Sequence, residues 1–425
     1  MKSSTMTDAF DPRLLAQSWP APAKPRPIVT FGAGSIVGDA HLPAYRKAGF
    51  PVAGLYDPDH AKSGKLAEKW GVTAFRSVGE AAAVKDAIFD LATPPGRHAE
   101  VLKALPDGAV ALIQKPMGNY LGEATEILEI CRAKKLKAAV NFQLRFAPMM
   151  LALKDAIAKG WLGEVVDFDA WLALATPWQL WEFLLKAPRV EIAMHSIHYL
   201  DLIRQLLGDP KGVHAKTLGH PNHKVAQTRT SAILDYGDTV RCALSINHDH
   251  KFGRRHQACE FRICGTEGAA YVKLGLNLDY PRGEPDVLEI YPKGGSDWVS
   301  VPLTGEWFPD AFVGRMANVA EFMKTTPFGQ RIAHGTLVFS VGVGLTATVI
   351  NPVAFSYGYD RLRFIKPVFI GDTIRTRTTI AAKENDPKRL DSGRVIERVE
   401  VINQRDEVVL AADHIYIVER RPRLG

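Results

Sequence analysis

Residues 26–46 read RPIVTFGAGSIVGDAHLPAYR, and no other stretch restricts the possible folds as much. A short apolar run of β type, Ile28 to Phe31, ends on Gly32-Ala33-Gly34 and passes directly into helical sequence. Strand, glycine turn and helix in that order have a physical purpose. Gly32 permits the tight turn, and Gly34 puts no side chain in the way of a pyrophosphate. The unpaired N–H groups at the helix start, around Ser35 and Ile36, then hold the phosphates with the help of the helix dipole. The third small position of the fingerprint is Val37, with Gly38 next, so the motif is degenerate and needs support.

The following stretches supply that support. PVAGLYDPD is a second strand ending in Asp57, where an acid binds the adenosine ribose hydroxyls and repels a 2′-phosphate, favouring NAD over NADP. DAIFDLATPPGRHAEVLKAL gives a third buried strand, followed by Thr93, Pro94 and a helix containing His98. Strands alternating with helices describe an α/β, doubly wound parallel sheet. Next, VALIQKPMGNYL places Gln114 and Lys115 at a strand end, with Pro116 stopping the strand. Carboxyl ends of such strands are where ligands sit in this architecture. AAVNFQLRFAPMM adds one more strand, with Asn141, Gln143 and Arg145 near its end.

The bulk numbers set limits on the rest. A chain of 425 residues makes two or three domains, and 46% hydrophobic with 23% charged residues is globular composition. Residues 1–23 read as a polar, proline-punctuated, disordered tail without the apolar core of a secretory signal. No apolar run is long enough to span a bilayer. Cys131, Cys242, Cys259 and Cys264 lack metal-ligand spacing and fit a reducing cytoplasm. The net charge of +7 comes with no nucleic-acid motif and no compact basic run, so it is assigned to the attraction of anionic small ligands.

At this point the chain resembles a known family. FGAGSIVGDAHLPAY, YDPD, ATPPGRH, IQKP, NFQLRFAP, GWLGEV, IHYLDLIRQLLG and ICGTEGAAYV are similar, in order and spacing, to the Gfo/Idh/MocA family of NAD(P)-dependent oxidoreductases. The resemblance implies a Rossmann domain over 24–150. A second α/β domain over 151–325 would carry a large open, mostly antiparallel sheet that packs between subunits, hence a homo-oligomer, dimer or tetramer. It also implies a sugar, cyclitol or similar polyol as substrate, with Lys115 and His198 as the catalytic pair. An imidazole suits the removal of a hydroxyl proton, and an amine suits stabilisation of the oxygen left behind.

Two positions depart from the family pattern. Gln114 stands where the family has Glu, and Met194 where many members have Asp; Glu191 and His195 are the nearby polar substitutes. Asp201 shares a helix face with His198, Arg145 lies near a strand end, and Trp178, with Trp181 beside it, offers a ring either for stacking on a sugar or for packing in the core or between subunits. With His195 these form the substrate-side set. His248, His250 and His256 read as a polar hairpin loop at an interface or near substrate. The HSIHYLD spacing drifts around a helix and finds no third ligand cluster, so no metal is expected.

After DAFVGRMANVAEFM the character of the sequence changes. TTPFGQRIAHGTLVFSVGVGL and RFIKPVFIGDTI resemble MaoC-like hot-dog hydratases, with His334-Gly335 opening the central helix. The resemblance covers the back half of that fold over 326–425, an α+β segment. The part that bears the Asp and His of hydration is missing, which implies a non-catalytic module. An (R)-specific enoyl-CoA hydratase and a non-catalytic dinucleotide-binding or assembly protein stay as alternatives.

Overall fold

The computed structural model describes residues 10–180, 182–185, 187–222, 224–280, 282–321, 333, 335–346, 354–369, 372–386, 389 and 391–420. The chain divides into two units, residues 1–322 and 323–425.

The first unit opens with six parallel strands: β1 (Ile28–Phe31), β2 (Val52–Tyr56), β3 (Thr73–Ala74), β4 (Ile88–Leu91), β5 (Val110–Ile113) and β6 (Lys137–Val140). Their order is β3-β2-β1-β4-β5-β6, so the chain reverses its direction of travel across the sheet between β1 and β4. β1, β4 and β5 are buried at every position, as strands covered by helices on both faces must be. Phe31, Leu91, Ile113 and Val140 stand in register across four neighbouring strands. The loops that follow them therefore leave the sheet side by side. Phe31, Phe89, Leu91 and Ile113 pack with Leu102 and Ile127 of the covering helices. Each such buried side chain stabilises the fold by roughly 2 kcal/mol.

A second sheet has eight strands: β7 (Val165–Ala173), β8 (Gly212–Leu218), β9 (Arg229–Asp235), β10 (Arg241–Asn247), β11 (Ala258–Gly265), β12 (Ala269–Lys273), β13 (Val287–Tyr291) and β14 (Val299–Ser300). The order is β14-β13-β12-β11-β7-β10-β9-β8. Only β7 and β10 run parallel; the other pairs are antiparallel. Alternation turns Phe168, Leu172, Leu244, Ile246 and Phe261 into one core with Tyr199 and Ile203 of the helix Ile197–Leu207. The opposite face leaves Trp171 and Ile233 exposed.

The expectation of a disordered tail is corrected over residues 10–19. Leu15 is buried in the core of the second sheet, and Trp19 packs edge-on against Phe146 at 5.2 Å. The Ala16 amide donates to Asp155 at 2.9 Å, and the Gln17 side chain reaches Pro302 and Thr304. The reason is physical: the few apolar groups of this polar stretch find a partly open core to cover. Residues 1–9 lie outside the described residues.

In the second unit, β15 (Ala354–Phe364), β16 (Ile374–Asn385), β17 (Ser392–Asn403) and β18 (Val408–Glu419) form an antiparallel sheet ordered β15-β18-β17-β16. The helix Gly335–Gly344 packs on it through Val338 against Val401 and Leu410. A β-carbon at Gly342 would collide with Val401, so glycine sets how closely helix and sheet approach. This is a hot-dog-like arrangement of helix and sheet. His334 lies outside the described residues.

Candidate active site

The aligned strand ends open into a cavity of about 630 Å³. At one end the loop after β1 supplies Gly32, Gly34, Ser35 and Ile36. Gly32 adopts a φ of +110°, and a β-carbon there would lie 2.6 Å from the Ala92 carbonyl oxygen. At Gly34 a β-carbon would meet nothing within 4 Å, because that position faces open space. Ser35 and Ile36 begin the helical stretch, where amides have no intrahelical acceptor. The Ala33 amide donates to Asp57 Oδ2 at 2.8 Å and the Asp59 amide to Oδ1 at 3.0 Å. Asp57 thus braces the glycine loop, and each of its oxygens keeps a lone pair for a further donor. Thr93 and Pro94 line the same end, and the Thr93 hydroxyl is buried without a partner. Free amides, a carboxylate with spare acceptors and a side-chain-free Gly34 are the donor set that a dinucleotide requires, so the residues fit one.

His98 does not line the cavity. It is fully buried, and its ring bridges the carbonyls of Thr93 at 2.9 Å and Met117 at 3.2 Å. It holds the shape of the loop instead of touching a ligand.

Lys115 follows β5 into the middle of the cavity. Its amide donates to Gln114 Oε1 at 2.9 Å, and its amine donates to the main-chain carbonyl of Met194 at 2.6 Å. Burial pulls the amine down from its usual 10.5 to about 8. Opposite it, a π-helical turn, Ile192–Ser196, leads into the helix Ile197–Leu207 and turns both His195 and His198 to the cavity. His198 is buried and its Nδ1 has no partner. Burial first, and repulsion by Lys115 second, hold it well below the usual imidazole range. His195 is lowered in the same direction by burial and by His248, Lys115 and His198.

Other substrate-side expectations are corrected. Arg145 and Asp201 form an ion pair, with Arg145 Nε donating to Asp201 Oδ2 at 2.6 Å, and neither lines the cavity. They staple the segment after β6 to the helix of His198, a pairing that two matched charges near a partly dry interface favour. Trp178 is buried behind the histidines, with its ring edge-on to His195 at 5.5 Å and near His248 at 5.3 Å. It supports their rings and offers no open face for stacking. Trp181 lies outside the described residues. His248, read from the sequence as part of a hairpin loop at an interface or near substrate, lies in the loop after β10, fully buried at the cavity wall; β7 separates β10 from β11 in the sheet, so the loop is not a hairpin. Its Nδ1 is paired with the Thr176 hydroxyl at 2.6 Å.

The sequence reading missed a buried set behind Lys115. His41 Nδ1 donates to Asp90 Oδ2 at 2.7 Å, the Tyr45 hydroxyl donates to the same oxygen at 2.8 Å, and Gln114 Nε2 donates to His41 Nε2 at 3.3 Å. A donor on Nε2 makes that nitrogen the acceptor and fixes the ring proton on Nδ1. An aspartate in the middle of an apolar strand, as in AIFDLAT, was the available signal, because a buried charge requires a partner.

Comparison with known proteins places these domains. Residues 27–142 match the model of the oxidoreductase family with an NAD-binding Rossmann fold. Residues 150–271 match the GFO/IDH/MocA C-terminal domain, and residues 319–404 match the MaoC-like domain. The chain carries Gfo/Idh/MocA oxidoreductase domains followed by a MaoC-like domain. A Salmonella typhimurium protein named "Putative oxidoreductase YceM" is 30% identical over 131 residues, which are 31% of this chain and 43% of that protein. The chain thus spans under half the length of that relative. The 1,5-anhydro-D-fructose reductase of Ensifer adhaerens is 26% identical over 254 residues, 58% of this chain and 75% of the relative. Among solved structures, the aldose-aldose oxidoreductase of Caulobacter crescentus shares the oxidoreductase fold with a TM-score of 0.59 at 16% identity, covering 71% of this chain and 90% of that one.

Proposed function

We propose that the Gfo/Idh/MocA domains form an NAD(P)-dependent dehydrogenase that moves a hydride between a nicotinamide coenzyme and the CH–OH carbon of a sugar, cyclitol or related polyol. The carrying observation is that Lys115 and His198 face one cavity whose other end is the Gly32–Ile36 loop. The names of relatives such as the 1,5-anhydro-D-fructose reductase support the same substrate class.

Within this reading the chain's own groups divide the work. The amides around Gly34 and Ser35 bind a diphosphate, and Asp57 takes the ribose hydroxyls and favours NAD over NADP. When bound, the nicotinamide coenzyme supplies the hydride acceptor or donor. His198, kept neutral by burial, takes the proton of the substrate hydroxyl. The Lys115 ammonium hydrogen-bonds the same oxygen and stabilises its growing negative charge. The Met194 carbonyl holds the Lys115 amine in place.

The MaoC-like domain is read as a non-catalytic module, and the exposed face of the eight-stranded sheet, with Trp171 and Ile233, as a contact between copies of the chain. Four free cysteines suit a reducing cytoplasm. The test is nicotinamide absorbance on mixing protein, coenzyme and a panel of sugars and polyols, with Lys115→Ala and His198→Ala as controls. Activity unchanged from the wild type in both variants rejects the roles assigned.

A further inference from the structure

The substrate half of the cavity is rich in donors and has no carboxylate among its described lining residues. Lys115 uses one of its N–H bonds on Met194 and keeps two. The ring of His195 makes ring–ring contacts and no hydrogen bond among the described residues. The Thr176 hydroxyl lines the wall beside it, paired with His248. The carboxylates of the cavity, Asp57 and Glu100, belong to the coenzyme half: one braces the glycine loop, and the other lies on the helix His98–Ala104. Glu191 is fully buried behind His248, with 3.7 Å between Oε1 and His248 Nε2; it accepts the Ser196 hydroxyl and does not line the cavity.

A neutral polyol brings hydroxyl protons that need acceptors, and this wall offers only neutral ones such as the Gln143 carbonyl, whose oxygen is buried without a partner. An acceptor-only group suits it better. We propose that the substrate carries a carboxylate beside the reacting carbinol, making it a sugar acid or hydroxy acid. His195 and the Thr176 hydroxyl hold the carboxylate while Lys115 and His198 keep the carbinol. This rests on the dehydrogenase reading and narrows its substrate.

The groups facing His195 all oppose a positive charge while no anion is present. They are Lys115 from the loop after β5, His198 from its own helix and His248 from the loop after β10, with Glu191 beyond His248. An arriving carboxylate reverses that balance, so its binding draws protons onto His195 and onto Lys115. Affinity for the acid falls as pH rises through about 8, where Lys115 loses its charge.

The experiment is calorimetric titration of the NAD⁺-loaded full chain with D-glucuronate and D-gluconate, against D-glucose, D-sorbitol and D-glucose 6-phosphate. It is run near neutral pH in two buffers of different protonation enthalpy. The expected result is binding of an acid about 10-fold or more tighter than its neutral counterpart, the worth of one charge-assisted hydrogen bond, with proton uptake. His195→Gln, with its melting temperature as the folding control, removes that advantage. Neutral sugars binding as tightly, an acid preference that survives His195→Gln, tighter binding of the phosphate, or no acid binding at all would overturn the inference. Turnover of a neutral polyol alongside absent acid affinity sinks this inference and leaves the dehydrogenase standing. Absent coenzyme binding sinks the dehydrogenase, while titration of coenzyme-free protein still reads the carboxylate site.

Discussion

The Lys115 amine reaches the main-chain carbonyl of Met194 across 2.6 Å, joining the end of a Rossmann strand to the π-helical turn of the second domain. A carbonyl dipole takes up an ammonium without neutralising it. Lys115 therefore keeps a value near 8, because desolvation is not offset by an opposite charge.

Lys115→Ala should lower kcat/KM by about 100- to 1,000-fold, the usual worth of one group stabilising a developing oxyanion. With the ammonium as the working form, wild-type kcat/KM falls as pH rises through about 8. Lys115→Arg, whose guanidinium stays charged, should lose that alkaline limb. A limb that persists in the arginine variant assigns the titration to another group.

Restoring an acid at 194 should not rescue the site. The Met194 side chain is buried with Trp178, Leu184 and Val190, so Met194→Asp places a carboxylate in an apolar cluster. We expect a loss of roughly 3 kcal/mol in urea denaturation. Unchanged stability would mean that the side chain turns toward Lys115 instead.

The two glycines of the first loop should fail in different ways. Gly34→Val points into open space, so the melting temperature holds while dinucleotide affinity drops by about 100-fold or more, as the phosphate path is blocked. Gly32→Ala meets the Ala92 carbonyl at a positive φ and should destabilise the fold by about 1–3 kcal/mol. Thermal melts and coenzyme fluorescence titration separate the two effects.

His198→Gln should cut kcat by about 100-fold or more while coenzyme affinity stays within about twofold, as expected of a group that moves a substrate proton. Stopped-flow nicotinamide absorbance and equilibrium titration supply the two readouts.

Asp90→Ala leaves His41 and Tyr45 facing an empty space in the middle of β4. Leaving two buried donors without an acceptor costs about 1–3 kcal/mol each, so this variant should unfold at markedly lower urea concentration. Asp90→Asn, which keeps an acceptor for the imidazole, should lose less.

Five strands of the six-stranded sheet were legible because their signals are local: each contains a short apolar run next to a turn or helix signal. The two-residue β3, Thr73–Ala74, is too short to show a pattern. Lys115 and His198 were singled out through the resemblance to the Gfo/Idh/MocA oxidoreductases, because a lysine at a strand end and a histidine on a helix are by position alone an ordinary surface group and an ordinary core group. What spacing does not show is where a side chain finds its partner. Arg145 and Asp201 both looked like ligand groups, and nothing short of the fold shows that they neutralise each other 56 positions apart. The carbonyl that holds Lys115 has no residue signature, because every residue carries one. Trp178 looked like a sugar platform because composition does not say which face of a ring is covered. His248 was read as part of a hairpin because β10 and β11 follow each other in the chain, whereas β7 lies between them in the sheet.

The segment 10–19 has a practical corollary. Cloning from the first strand onward, as the motif at Gly32 invites, would remove Leu15 and Trp19 from a core built by residues far downstream. The weakness of such a shortened protein would be blamed on the nucleotide fold, although the damage would lie under the neighbouring sheet.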